Sequence, residues 1–399
     1  MGLRIREFMH AWVGGILPSS QGKGYFSEFY DWLITFAEVN GYKSITGNTD
    51  NYKSNIIRMM LKKGFYITTV KEGQYGDGIK ICMKYDIYPP RSLRISLTTA
   101  CNLKCFFCHH EGIVEENSQI TIPEIERILT QARRLRVNEI TLTGGEPTVV
   151  FEKMLFVLKY CGSWDRKPHI KIVTNGSLWT PEMINELNYK GKLTVNLSVH
   201  SIDVEKNRCI VGETIDKSIY DGVISGIKRK KIDLRINSTI LKGINSNKQS
   251  LSDIIKFSID NNVDRVNLME LLVTKKQYEL QKYYMSFENI DYELNCALME
   301  FGDYEIVQSS NKKKTYRLSS FGKKIDISIY RLSCRCGCEN CNENNDITIS
   351  ATAKAHPCYL EPEIVVGDAI VSLEKTINEC DVFIKNKDKN FSRNILYWG

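Results

Sequence analysis

Apolar residues along the chain follow two periods. Over Tyr25–Val39 and Asn51–Lys63 they recur at three- and four-residue spacing, the pattern of amphipathic helices. Two β-rich runs follow Gly64, Phe65–Val70 and Ile79–Tyr85. Between them Glu72-Gly73-Gln74-Tyr75-Gly76-Asp77-Gly78 reads as a hairpin loop. Helices followed by a hairpin predict an N-terminal winged-helix-like domain over residues 1–92, ended by the stiff Tyr88-Pro89-Pro90 stretch.

Beyond it one theme repeats. A short β-rich run ends in a polar or glycine-containing motif, and a helical stretch follows. The runs are Leu93–Leu97, Glu139–Leu142, Ile170–Val173, Leu193–Val199, Asp233–Ile240 and Arg265–Met269. Strands alternating with helices imply a parallel sheet with right-handed crossovers. Six such units predict an α/β fold, a partial (β/α)6 barrel over 93–325, with its active site at the strand C-termini. Residues 326–399 form a C-terminal extension that carries the late cysteines and opens on one more strand, Lys324–Arg331.

Composition narrows the class. With 399 residues, 42% of them hydrophobic, the chain can build two or three packed domains. No apolar run is long enough to span a bilayer, and the N-terminus lacks a signal-peptide core, so a cytoplasmic protein is expected. The net charge of +7 is spread among interspersed acids, and Lys228–Lys231 and Lys312–Lys314 read as solvated surface. Residues 1–92 hold 12 basic and 8 acidic side chains, thin for a phosphate-binding face, so a nucleic-acid partner is not expected.

The thirteen cysteines change the picture most. Eight fall in two tight groups: Cys101, Cys105 and Cys108, then Cys334, Cys336, Cys338, Cys341 and Cys358. A cytosolic chain has little use for disulfides, so grouping points to metal or cluster ligation. Three thiolates can hold three irons of a [4Fe–4S] cluster and leave the fourth open. The amino and carboxylate groups of S-adenosylmethionine (SAM) can chelate that iron, and one electron then breaks a carbon–sulfur bond to give a 5′-deoxyadenosyl radical. Zinc wants four ligands at paired spacing; His109 could complete such a set, but the three-then-two spacing argues for the cluster.

The run Leu97-Thr98-Thr99-Ala100-Cys101-Asn102-Leu103-Lys104-Cys105-Phe106-Phe107-Cys108 resembles the cluster loop of the radical SAM superfamily, and within it the GTP 3′,8-cyclases of molybdenum cofactor synthesis. The likeness continues through Leu142-Thr143-Gly144-Gly145-Glu146-Pro147-Thr148, Thr174-Asn175-Gly176, Asn196-Leu197-Ser198-Val199-His200-Ser201, and Arg235-Ile236-Asn237 with Lys242-Gly243-Ile244-Asn245. It implies that Phe107 packs against adenine, that Gly144 and Gly145 allow close approach to SAM, and that Glu146 meets its ammonium group. It also implies SAM contacts from Thr174, Asn175 and Ser198, and substrate contacts from Lys242 and Asn237. His109, His110 and His200 are expected to pack or shape the cluster loop.

The late cysteines resemble the second cluster site of the cyclases, which implies that Cys338, Cys341 and Cys358 hold a second [4Fe–4S] cluster. Residues two apart on an extended chain share a face, so Cys334 or Cys336 could supply a fourth ligand and close it; Cys336 is taken as that candidate. Two departures stand out. Alternating arginines follow the cyclase Cys-x2-Cys-Asn element, whereas here Asn342-Glu343-Asn344-Asn345-Asp346 follows, and acids repel a triphosphate. The chain also ends Leu396-Tyr397-Trp398-Gly399 rather than in paired glycines.

Three functions compete. The first is a twin-cluster radical SAM enzyme acting on a small molecule, with nucleotides among the candidates. The second is a peptide maturase whose N-terminal domain grips a leader. The third is a DNA-binding regulator with a cluster sensor. An enzyme of this kind also needs an electron donor such as flavodoxin or ferredoxin.

Overall fold

The computed structural model of the protein describes residues 8–11, 15–40, 42–73, 78–87, 92–109, 118–273, 275–320, 322–332, 346–358 and 364–386. The chain divides into two compact units, Met1–Pro90 and Arg91–Gly399.

The first unit contains β1 (Met9–Ala11), α1 (Tyr25–Val39), β2 (Ser44–Asp50), α2 (Ser54–Lys62), β3 (Tyr66–Glu72) and β4 (Ile79–Asp86), with sheet order β1-β2-β4-β3. Both helices and the hairpin stand where the sequence predicts them. The second strand, Ser-Ile-Thr-Gly-Asn-Thr-Asp, was not predicted, because five polar residues and a glycine hide its period. It nevertheless lies inside the sheet, parallel to β1 and antiparallel to β4. Tyr30, Leu33, Ile34 and Ala37 on α1 pack with Ile45, Met60, Phe65, Met83 and Tyr85 into a core of the unit's own. These α1 positions recur at three and four, as a one-sided helix requires.

The second unit alternates strand and helix: β5 (Ser92–Ser96), α3 (Ile122–Arg134), β6 (Glu139–Thr143), α4 (Phe151–Gly162), β7 (His169–Thr174), α5 (Pro181–Glu186), β8 (Leu193–Ser198), α6 (Val204–Val211), α7 (Lys217–Arg229), β9 (Asp233–Thr239), α8 (Lys248–Asp260) and β10 (Arg265–Met269). These six strands lie side by side in chain order and pair in parallel, and β5 and β10 are not paired with each other. The expected partial (β/α)6 barrel is therefore present. Then come α9 (Phe287–Leu298), β11 (Asp303–Ser309), β12 (Lys313–Ser320), β13 (Lys323–Tyr330), β14 (Asp346–Ile349), β15 (Lys354–His356), β16 (Gly367–Asp368) and α10 (Leu373–Asn386). The strands of this last part extend the same sheet: β13 joins β10, and β14 joins β5, both in parallel.

Local signals explain the helix ends. Thr121 and Glu124 form a reciprocal capping box at the start of α3, and Gly212, with a φ of 78°, ends α6. Along the barrel strands the apolar side chains face outward to the helices. Val195 and Leu197 of β8 and Leu234 and Ile236 of β9 are buried there. Asn196, Ser198, Arg235 and Asn237, one residue out of step, line the interior. Among the described residues no helix is long and apolar enough to cross a membrane.

Candidate active site

A cavity of about 410 Å³ occupies the barrel interior and opens where the strands end. Cys101, Cys105 and Cys108 line it, on the loop that leaves β5. Two elements hold that loop. The carbonyls of Val211 and Ile210, at the end of α6, accept hydrogen bonds from the Lys104 and Phe106 amides at 2.9 and 3.2 Å. Those amides bracket Cys105. On the other side, Gly145 N donates to Thr98 O at 2.7 Å and Glu146 N to Ala100 O at 2.8 Å.

The paired glycines are there for this contact. A methyl group on Gly144 would stand 2.2 Å from Thr98 O, and one on Gly145 would stand 2.1 Å from Ala100 O. Gly144 also has a φ of 134°, which favours glycine. The close approach seen here is between two backbone segments.

Glu146 is 1% exposed, and four protein donors hold its carboxylate. Thr148 N and Thr148 Oγ1 donate to Oε1 at 3.1 and 2.7 Å, Thr174 Oγ1 to the same oxygen at 2.6 Å, and Asn175 N to Oε2 at 2.7 Å. Burial pushes its pKa up, and these hydrogen bonds oppose that shift. Glu146 therefore ties the end of β6 to the end of β7. Thr174 and Asn175 line the cavity, and Asn175 has a second orientation constraint: Ser177 N and Oγ donate to its Oδ1 at 2.9 and 2.6 Å. Its Nδ2 then points to Asn102 Oδ1 at 3.1 Å and to Cys101 Sγ at 3.9 Å.

The three thiols fit an iron–sulfur cluster by their chemistry. They come from one loop and share one cavity. Among the described residues no three His, Cys, Asp or Glu side chains converge on a point that could hold one metal ion. A cluster instead offers each thiol its own iron. Burial, with the neighbouring Cys108 and Cys101, pushes the Cys105 thiol up to about 12, and burial also raises Cys101. Iron binding must displace those protons. Leu103 N already donates to Cys101 Sγ at 3.4 Å.

Phe107, Ser198 and Asn237 line the cavity with the glycines, whereas Lys242 does not. Lys242 is exposed, and its amide donates to Tyr283 O at 2.7 Å, outside the barrel interior. His200 is buried; Thr239 N donates to its Nδ1 at 3.2 Å, and Phe107 meets its ring edge-on at 5.0 Å. Burial holds its pKa down to about 4, so it packs as a neutral ring. His110 and Cys334, Cys336, Cys338 and Cys341 lie outside the described residues. Cys358 is half-buried. It follows β15, whose His356 pairs with Thr348 of β14, which pairs with Arg94 of β5. This register puts Cys358 toward the start of β5, at the opposite end of the sheet from Cys101.

Sequence reasoning missed the cavity floor. Arg94, Glu139, Lys171, Asn196, Arg235 and Asn267 line it. Lys171 pairs with Glu139, and His169 Nδ1 stands 3.4 Å from the same carboxylate. Burial raises the Glu139 pKa, but the His169 and Lys171 hydrogen bonds outweigh it and hold the carboxyl at about 2. Arg235 Nε is buried, with no hydrogen-bond partner among the described residues. The signal was present in the strands: charged or amide residues at every second position, flanked by aliphatics.

Comparison with known proteins agrees with this geometry. Residues 95–258 match the family model of the Radical SAM superfamily. A Pyrococcus horikoshii protein named "Probable GTP 3′,8-cyclase" is 26% identical over 324 residues, covering 78% of this chain and 96% of that protein. A Methanocella arvoryzae protein of the same name is 29% identical over 321 residues, 76% and 96% of the two chains. Among solved structures, Streptococcus suis SuiB bound to S-adenosylmethionine superposes with a TM-score of 0.55 at 17% identity, over 76% of this chain and 68% of its own. The structure of anSMEcpe with bound AdoMet and Kp18Cys peptide gives 0.53 at 16% identity, over 76% and 88%. These two share the fold. With the cysteine loop, the paired-glycine turn and the six-stranded barrel together, residues 95–258 are a radical SAM domain, and the chain that carries it is an enzyme.

Proposed function

We propose that Cys101, Cys105 and Cys108 ligate a [4Fe–4S] cluster and that SAM binds beside it, along the strand ends that carry Gly144, Gly145, Thr174, Asn175 and Ser198, with Phe107 against adenine. Bound there, the cluster and SAM supply a 5′-deoxyadenosyl radical that abstracts hydrogen from substrate. The observation that carries this reading is that three cysteines of one loop share a cavity with the strand ends of a parallel barrel. The residues of the chain do the rest. Glu146 keeps the turn and the β7 end in fixed relation, and the α6 carbonyls fix the loop.

The substrate is a polar small molecule taken into the barrel as in the cyclases. The relatives named as such support this, as do the cations Arg94, Lys171 and Arg235 and the amides Asn196, Asn237 and Asn267 on the floor. One carboxylate, Glu139, offsets part of that positive charge, which with the acidic run after Cys341 favours a substrate less charged than a triphosphate. Cys338, Cys341 and Cys358 hold a second cluster in this reading, with Cys336 as the candidate fourth ligand. The register of Cys358 supports a site at the end of the barrel away from the first cluster.

A second reading has its own observation. The edge strand β3 is exposed at all seven residues and, among the described residues, pairs only with β4. An exposed edge can take an extended peptide as an added strand, which favours a peptide substrate. One experiment separates the two. The protein is reconstituted anaerobically with iron and sulfide, then given SAM and dithionite with guanosine, with GTP, with a peptide, or with none of them. 5′-Deoxyadenosine is quantified. A rise with guanosine or GTP supports the first reading, larger with guanosine if the charge argument holds, and a rise with peptide alone the second; iron-loaded protein that forms none in any arm overturns both.

A further inference from the structure

Two side chains of the barrel floor have no hydrogen-bond partner among the described residues. Arg235 is half-buried, makes no hydrogen bond or ion pair there, and has its Nε fully buried. Asn196 is buried, and its side-chain amide makes no hydrogen bond either. The two are direct partners on the adjacent strands β9 and β8, and both line the cavity. A guanidinium brings five donors and an amide two, so leaving them unmet away from bulk water is costly. Burial and the neighbouring charge of Arg265 both act against the charge of Arg235, so the site gains by taking an anion.

The other charges of the floor are engaged. Lys171 pairs with Glu139, and Arg94 has a partner of its own within the chain. Among the described residues Arg235 is thus the floor cation left open. Its planar fork, beside the Asn196 amide, matches the two oxygens of a carboxylate. A phosphate monoester carries nearly two charges and calls for a second cation, yet Lys171 is held by Glu139. Depth matters as well. Asn196 and Arg235 lie two residues before Ser198 and Asn237, which are partners in the layer nearer the strand ends. Two strand residues span about 7 Å. An acid group held by Arg235 therefore sits that far below the upper layer, and the rest of the molecule reaches toward Cys101, Cys105 and Cys108.

We infer that Arg235 and Asn196 form a subsite for one carboxylate of the substrate, and that Glu139, by pairing with Lys171, is the residue that turns away a more highly charged group. This deepens the reading of a polar small molecule in the barrel and rests on it. The acid group anchors the molecule at the floor and takes no part in the chemistry at the strand ends. Glu139 acts by charge: it occupies the second cation and adds a repulsion to any second negative charge placed beside it. Neutralising Glu139 removes that repulsion and frees Lys171.

The test is an NMR titration of the reconstituted full-length protein without SAM. The probes are acetate, labelled with carbon-13 at its carboxylate, and inorganic pyrophosphate, followed by phosphorus-31. Wild type should bind acetate saturably and in preference to pyrophosphate. Arg235→Gln should weaken acetate about tenfold or more, the scale of a lost charge-assisted hydrogen bond. Asn196→Leu keeps shape and charge, should weaken acetate about fivefold, and carries the test if Arg235→Gln fails to fold. Glu139→Gln should shift the preference toward pyrophosphate by about fivefold or more; Glu139→Ser serves where that variant does not fold. No acetate binding in wild type, or binding unchanged in the folded floor variants, overturns the carboxylate subsite. An unchanged preference in a folded Glu139 variant overturns the role of Glu139. None of these readouts needs turnover, so 5′-deoxyadenosine formed with peptide alone overturns the small-molecule reading instead.

Discussion

Replacing Gly145 with alanine should detach the cysteine loop from the barrel. The added methyl would stand 2.1 Å from Ala100 O, 2.4 Å from Ala100 C and 2.6 Å from Thr99 O. All three are backbone atoms, so no side chain can swing away. The two segments must part by roughly an ångström to reach a tolerable contact, and overpacking of this kind costs about 1–3 kcal/mol. The same shift stretches the hydrogen bonds Gly145 N to Thr98 O and Glu146 N to Ala100 O, each worth about 1 kcal/mol. Together the loss is about 2–5 kcal/mol. At the usual scaling for a unit of this size, that lowers the melting temperature by roughly 5–15 °C.

Gly222→Ala is the matched control. Gly222 sits within α7, and a methyl there meets nothing within 4 Å. Its variant should be neutral or more stable by up to about 1 kcal/mol, since alanine is the better helix former. Thermal melts of the iron-free proteins read stability, and iron per chain after anaerobic reconstitution reads the loop. A Gly145→Ala protein that melts with wild type and binds as much iron would refute the claim that backbone contact, rather than ligand contact, requires this glycine.

Three further outcomes are expected. Cys101→Ala, Cys105→Ala and Cys108→Ala should each abolish 5′-deoxyadenosine formation and lower bound iron; normal product from any one removes the ligand assignment. Glu146→Gln should cost about 2–4 kcal/mol, because its new NH₂ group confronts donors that now share a carboxylate, and an unchanged denaturant midpoint would contradict this. His200, held at about 4 by burial against an ordinary 6.5, binds its proton more readily in the unfolded chain. Stability from it is therefore complete above pH 6.5 and lost as pH falls toward 4, by at most about 3 kcal/mol; His200→Gln should flatten that slope in guanidinium melts between about pH 4 and 7, and an unaltered slope would refute it.

How much of this was legible in the sequence depended on which period each segment kept. The six barrel strands were legible because aliphatic residues alternate in them and a motif closes several of them. The strand Ser44–Asp50 was not, because it is polar at nearly every position and owes its state to the two strands beside it. The edge strand Asp303–Ser309, almost wholly exposed, kept no apolar period either, and Asp346–Ile349 is too short to show one. The site divides along the same line. Cys101, Cys105, Cys108 and the paired glycines announce themselves by spacing within one segment. Lys242 follows a strand too, yet the loop turns it outward, since position after a strand fixes which end of the barrel a residue occupies but not which way it faces.

The barrel floor shows what sequence reading can recover when the question is inverted. In His169-Ile-Lys-Ile-Val and Asp233-Leu-Arg-Ile-Asn apolar and polar residues alternate. In a barrel covered by helices that apolar face is the outer one, and the polar residues left over point into the cavity. Lys171, Arg235 and Asn237 were thus named by the same pattern that named the strands. The groups that hold the cysteine loop were not nameable in this way: the Val211 and Ile210 carbonyls accept the Lys104 and Phe106 amides only because the fold brings the end of α6 to that loop. Local periodicity therefore exposes residues that line a strand-built cavity, whereas contacts between a loop and a helix distant in sequence become visible only in the fold.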